Sequence, residues 1–330
     1  VLIRHRNFFG AVFIFWNFKM DIFLQQIVNG LVLGSIYALI ALGYTMVYGI
    51  LGIINFAHGD VLMIGALSAL SAILGLQTFF PGLPEWLILI LAILFAMLIC
   101  TLVSLVIERV AYRPLRSAPR LAPLITAIGV SILLQTIAMI LWSRNPLTFP
   151  QLLPSAPIDI FNTDATITGK EITIIVVALL VMLGLVFLVE KTRLGRSMRA
   201  TAENTRVASL MGINPNFVIA TTFVLGAALA ALAGVMIATA YGNANFHMGF
   251  IPGLKAFTAA VLGGIGNLYG AMVGGILLGL IEALGAGYIG DLTDGVFGSN
   301  YQDVFAFIVL ICVLIFRPSG IMGERLADRA

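Results

Sequence analysis

Apolar residues follow one another along this chain in long, nearly unbroken stretches. Stretches at 22–42, 61–76, 86–107, 121–142, 172–189, 217–240, 269–286 and 304–316 read as helices crossing a bilayer, for which about 20 residues suffice. Two further apolar pieces, 44–57 and 254–265, are shorter or richer in glycine. Such pieces must be buried in protein or line a cavity, because lipid does not tolerate unpaired backbone. No window of spanning length alternates strictly between apolar and polar positions, which argues against a β-barrel. The pattern predicts an all-α polytopic membrane protein, a bundle of eight to ten transmembrane segments.

Composition strengthens this reading. Of the 330 residues, 60% are hydrophobic and only 10% charged. A soluble chain carries roughly 25% charged residues to wet its surface, so a soluble enzyme and a disordered chain are both excluded. Glycine occupies 34 positions, as suits helices that approach closely in lipid. The spacings Gly30/Gly34, Gly226/Ala230/Gly234 and Gly266/Gly270/Gly274 predict such packing, within the bundle or at a dimer face. Cys100 and Cys312 sit in apolar runs and fit neither a metal-ligand spacing nor a disulfide framework.

The few charges are sorted. Arg109, Arg113, Arg116 and Arg120 share one short loop, and Lys191, Arg193, Arg196, Arg199 and Arg206 another. Arg317, Arg325 and Arg329 follow the last span. The 142–172 connection instead holds Asp159, Asp164 and Glu171 against Arg144 and Lys170, and 288–303 holds Asp291, Asp294 and Asp303 with no Lys or Arg. The positive-inside rule sets the first three groups in the cytoplasm and the last two outside. With both short pieces counted as crossings, both termini are expected in the cytoplasm. The first nineteen residues carry Arg4 and Arg6 before a short apolar run, with no small-residue cleavage site after it. Met20, directly before the first span, is the expected start of translation.

Signatures of catalysis are missing: the chain has no nucleotide-binding P-loop, no H-E-x-x-H and no G-x-S-x-G. Gly285, Gly287 and Gly290 match G-x-G-x-x-G formally, but they close a membrane span with no strand before it. No cofactor, metal or nucleic acid is expected.

The loop 190–216 is the most informative segment. Asn204 can cap a short helix in which Val207, Leu210 and Met211 share one face, Gly212 can end it in a left-handed turn, and Asn214-Pro215 prevents its continuation. The residues leave two uses of this amphipathic helix open: resting on the lipid interface, or docking into a groove on a cytoplasmic partner. Ionisable groups in or beside spans are costly and so worth marking. Glu282 lies deep in a span with no Lys or Arg near it in sequence. Asn55, His58 and Asp60 follow the 44–57 piece and read as a polar hinge capping the next helix, or as part of a pathway.

Several blocks then resemble one family. Asn29-Gly30-Leu31-Val32-Leu33-Gly34-Ser35 continuing to Gly49, Ile54-Asn55-Phe56-Ala57-His58-Gly59, and Glu108-Arg109-Val110-Ala111-Tyr112-Arg113-Pro114 are similar to the H-type permease of high-affinity branched-chain amino-acid ABC importers. So are the 202–214 loop and Gly253-Leu254-Lys255-Ala256-Phe257-Thr258 continuing to Gly266. The resemblance runs from about 20 to 323. It implies a domain plan: an upstream extension at 1–19, a permease domain at 20–323 with the coupling loop 190–216, and a cytoplasmic tail at 324–330.

That resemblance implies an inner-membrane transport subunit without its own catalysis. Its implied partners are a second homologous permease, two cytoplasmic ATPase subunits and a periplasmic amino-acid-binding protein, with lipid around them. It gives the loop helix an ATPase-coupling role at Glu203, Asn204, Val207, Ala208, Leu210, Met211, Gly212, Ile213 and Asn214. By analogy with vitamin B12-type ABC importer permeases, two inverted repeats would flank the 142–172 connection. Pathway candidates are Asn55, His58, Asp60, Gly263, Gly264, Gly266 and Glu282. Two alternatives stand beside this reading: an ABC permease for urea or short amides, and a stand-alone secondary transporter in which Glu282 and His58 carry a proton.

Overall fold

The computed structural model describes residues 2–116, 118–119, 121–160, 163–293 and 301–323. Arg120, Asp294 and the 324–330 tail, with Arg325 and Arg329, lie outside the described residues. The chain forms α1 (Leu2–Leu51), α2 (His58–Phe79), α3 (Glu85–Ile107), α4 (Leu121–Leu141) and α5 (Gly169–Lys191). It continues through two short helices, α6 (Arg193–Glu203) and α7 (Thr205–Leu210), into α8 (Pro215–Tyr241), α9 (Phe250–Gly263), α10 (Leu268–Leu292) and α11 (Gln302–Phe316). Seven of the described helices are long and apolar enough to cross a membrane, and α9 and α11 are shorter apolar helices.

One expected piece is absent as a separate unit. The 44–57 stretch is the end of α1, which runs on to Leu51 and stops where Gly52 takes a left-handed φ of 63°. Residues 52–57 then turn the chain back, and α2 begins at His58. Ten candidate segments therefore become nine apolar helices among the described residues.

The helices sort into an inner and an outer set. Within their most apolar windows, Met20–Leu51, α2 and α8 are 89%, 72% and 78% buried, whereas α3, α4 and α5 are 28%, 22% and 28% buried. The outer three lay one face on the core and present Leu94, Leu98, Ile125, Ile132, Leu180 and Leu183 outward. Such a surface is stable only in lipid.

Glycines bring the inner helices together. A methyl on Gly34 would stand 2.8 Å from the Ile276 backbone, one on Gly234 2.2 Å from the Leu62 carbonyl, and one on Gly274 2.2 Å from that of Ala259. The predicted small-residue spacings thus serve internal packing of α1 on α10, α8 on α2 and α10 on α9.

Short strands close one end of the bundle. β1 (Leu147–Thr148) pairs antiparallel with β4 (Asn243–Ala244), and β2 (Pro157–Asp159) with β3 (Thr166–Thr168). Gln25, about midway along α1, accepts the Thr166 N–H at 2.9 Å, tying the same connection to that helix.

Candidate functional site

The break between α1 and α2 is built from the marked polar residues. Asn55 is buried, and its Oδ1 accepts the Ala57 N–H at 3.1 Å and the Tyr112 hydroxyl at 2.8 Å. Asn55, and not Asp60, is therefore the side chain that organises the hinge: Ala57 occupies the N-cap of α2 without a side-chain hydrogen bond. His58 is buried edge-on to Tyr44, with ring centroids 4.7 Å apart. It fills a notch that only glycine leaves, since a methyl on Gly43 would fall 2.4 Å from its Nε2.

Asp60 turns away from the hinge toward α4. It is 1% exposed and accepts from Gln135 Nε2 at 2.9 Å. A cavity of about 290 Å³ adjoins it, lined by Tyr44, Phe56, Ser131, Phe250 and Leu254 among others. The wall is almost wholly apolar, so the carboxylate is its main charged feature. Gly263, Gly264 and Gly266 do not line this cavity. They form the turn from α9 to α10, where Gly264 and Gly266 take φ of 109° and 96°. The turn is held by the 320–323 segment, with Ile321 N donating to Leu262 O and Met322 N to Gly263 O, both at 2.9 Å.

Glu282 has partners that sequence proximity did not reveal. Its Oε1 accepts from Lys255 Nζ at 2.7 Å and its Oε2 from the Tyr37 hydroxyl at 3.1 Å. Lys255 also pairs with Asp303 at 2.7 Å. The cluster links α1, α9, α10 and α11, with Tyr37, Lys255 and Glu282 buried and the Asp303 side chain 40% exposed. A Glu282 tied to a lysine is poorly suited to carry a proton alone. The available signal was Lys255 itself, a lone cation in an apolar helix that must be paired when buried.

At the opposite end from the strands, α7 stands between α6 and α8. Asn204 Oδ1 accepts from Arg206 N and Val207 N, both at 3.0 Å, and Gly212 adopts φ 82°. Asn214 then caps α8, accepting from Asn216 N at 3.1 Å and Phe217 N at 3.3 Å, with Pro215 in its first turn. Ala208 faces inward, while Val207, Leu210 and Met211 are 52%, 80% and 78% exposed. Ile213 is half-buried, and Glu203 and Asn214 are exposed. This short, capped helix holds an exposed apolar face.

Beside α7, sequence reasoning missed a polar relay. The chain after α3 widens into a π-helical turn, Glu108–Tyr112, a distortion common at functional sites. Arg116 pairs with buried Glu108 and donates to Asn216 Oδ1 at 2.6 Å. Among the described residues, no group of His, Cys, Asp and Glu is arranged to hold a metal ion.

Comparison with known proteins decides the family. Residues 26–314 match the family described as branched-chain amino acid transport system / permease component. The chain belongs to this family. It is 51% identical over 305 residues to the high-affinity branched-chain amino acid transport system permease protein BraD of Pseudomonas aeruginosa, covering 92% of this chain and 96% of that protein. It is 46% identical over the same length and shares to the permease protein LivH of Escherichia coli. A galactofuranose transporter permease of Escherichia coli, YtfT, is 30% identical over 48% of this chain. Among solved structures, PsaBC from Streptococcus pneumoniae in complex with Fab aligns over 92% of both chains, with 16% identity and a TM-score of 0.43. This member of the branched-chain permease family is thus a multi-pass membrane protein, with seven described helices long and apolar enough to cross a membrane.

Proposed function

We propose that this chain is the permease subunit of an ATP-driven ABC importer that moves leucine, isoleucine and valine across the bacterial inner membrane. The observation that carries the reading is the near full-length identity to two high-affinity branched-chain amino acid permeases. The importer would comprise this chain, a second homologous permease, two cytoplasmic ATPase subunits and a periplasmic amino-acid-binding protein. ATP hydrolysis belongs to the ATPase subunits, and this chain contributes the passage and the coupling surface. Residues 20–323 act as the permease domain.

The exposed Val207, Leu210 and Met211 face of α7 supports the coupling role. An apolar face held on a capped helix among basic side chains suits a groove on a protein partner. The basic clusters mark the α7 end as cytoplasmic and the strand-closed end as external. The Gln25–Thr166 contact joins the start of the first span to the external connection. Counting α9 and α11 with the seven long helices as nine alternating crossings would put the Met20 end outside and the Arg317 end inside. The reading of both ends as cytoplasmic rested on ten segments, and the continuous α1 removes one.

Uptake of radiolabelled leucine by cells expressing the complete importer tests the energy source. Uptake that stops on ATP depletion, and persists when the proton gradient is collapsed with ATP maintained, supports the proposal. The reverse pattern overturns it in favour of a secondary transporter.

A further inference from the structure

The Asp60 cavity has the chemistry of a binding site. Asp60 is buried, its hydrogen-bond partners Gln135 and Ser131 are neutral, His247 attracts it electrostatically, and among the described residues no Lys or Arg pairs with it. The other two buried carboxylates among the described residues, Glu108 and Glu282, each pair with a cation of this chain. A buried carboxylate with no Lys or Arg beside it is costly, and a ligand ammonium would offset that cost.

Depth and backbone geometry point the same way. Ser131, which lines the cavity, is the central residue of α4, so the cavity lies near the middle of a membrane-crossing helix. The first turns of α2 and α9 meet there through glycines. A methyl on Gly59 would fall 2.5 Å from the Gly249 carbonyl, and one on Gly253 2.9 Å from Gly59 Cα. α9 starts at Gly249 without a side-chain cap, and Gly249 and Phe250 line the cavity. In that turn Phe250 N–H donates to His247 O at 3.1 Å, Gly253 N–H to Gly249 O at 2.9 Å, and Pro252 has none, so what the start of this interrupted helix offers an anion at mid-membrane is its positive dipole end.

We propose that this cavity holds the transported amino acid as a zwitterion: Asp60 takes the ammonium, the first turn of α9 takes the carboxylate, and the apolar wall takes the aliphatic side chain. Phe56, Ile128 and Leu254 form the wall that a branched side chain would meet. The proposal rests on the reading of the chain as an amino-acid permease, and it adds a membrane-embedded site to the selection made by the binding protein.

The test uses the complete importer in proteoliposomes with saturating leucine- or valine-loaded binding protein. Asp60→Asn keeps a hydrogen-bond acceptor and removes the charge. Leucine uptake is expected to fall by about tenfold to a hundredfold, the range for losing a charge-assisted hydrogen bond. Ser131→Leu fills the cavity from α4 and is expected to lower the ratio of leucine to valine uptake, a shift that a merely structural defect would not produce. If Asp60→Asn fails to assemble, the Ser131→Leu ratio decides. Wild-type leucine uptake with unchanged rate in Asp60→Asn, or an unchanged ratio in Ser131→Leu, overturns the site while leaving the permease reading intact. Absence of wild-type uptake of any branched-chain amino acid overturns both.

Discussion

The Tyr112 hydroxyl donates to Asn55 Oδ1 at 2.8 Å, joining residues 57 positions apart. One belongs to the π-helical turn after α3, the other to the break before α2. In the same segment Arg116 pairs with Glu108 and donates to Asn216, at the start of α8 and next to the α7 loop. The 108–116 segment therefore contacts both the α1–α2 break, through Tyr112, and the start of α8, through Arg116. Tyr112→Phe removes one contact and keeps the packing of the ring on Phe223. It is expected to cost about 1 kcal/mol of stability, read by thermal unfolding, and to lower leucine uptake several-fold. Unchanged uptake would separate the hinge from coupling.

Much of the fold was legible because each local signal agreed with the global one. Unbroken apolar runs marked α2, α3, α4, α5, α8 and α10, and Asn204 with Gly212 marked both ends of α7. The errors arose where tertiary packing decides. Gly43 and Tyr44 sit mid-way in a continuous helix, because an isolated glycine does not break a helix that is buried all round. Lys255 and Glu282 are 27 positions apart, and only the packing of α9 on α10 makes them a pair. Asn55 and Asp60 were marked as one hinge, yet they serve different neighbours: Tyr112 on one side and Gln135 on the other.

Removing one member of the Lys255–Glu282 pair should be worse than removing both. Lys255→Met leaves Glu282 buried without a cation and is expected to destabilise the chain by about 3–5 kcal/mol. Adding Glu282→Gln to it should restore much of that loss. Thermal unfolding of the two purified complexes checks this. A double variant no more stable than the single one would mean that the pair matters for something other than charge balance.

Gly212 holds φ 82° at the end of α7, with no atom near enough to crowd a side chain. Conformation alone therefore disfavours substitution there. Gly212→Val is expected to lower uptake and binding-protein-stimulated ATPase activity while membrane insertion survives. Gly212→Asn, which tolerates the left-handed region, should retain more of both. Equal losses in the two variants would point to a contact at Gly212 in place of a turn requirement.

The central claim is that the exposed face of α7 docks on a partner ATPase, and a cross-link tests it most directly. Leu210→Cys introduces a thiol at a side chain 80% exposed, in a chain whose own thiols, Cys100 and Cys312, lie within membrane helices. A short bifunctional maleimide applied to the assembled importer should join Cys-substituted α7 to the ATPase subunit, and ATP-driven leucine uptake should stop as the cross-link forms. A face that reacts readily with the reagent in the full complex, forms no cross-link to the ATPase and leaves uptake intact would contradict the coupling role.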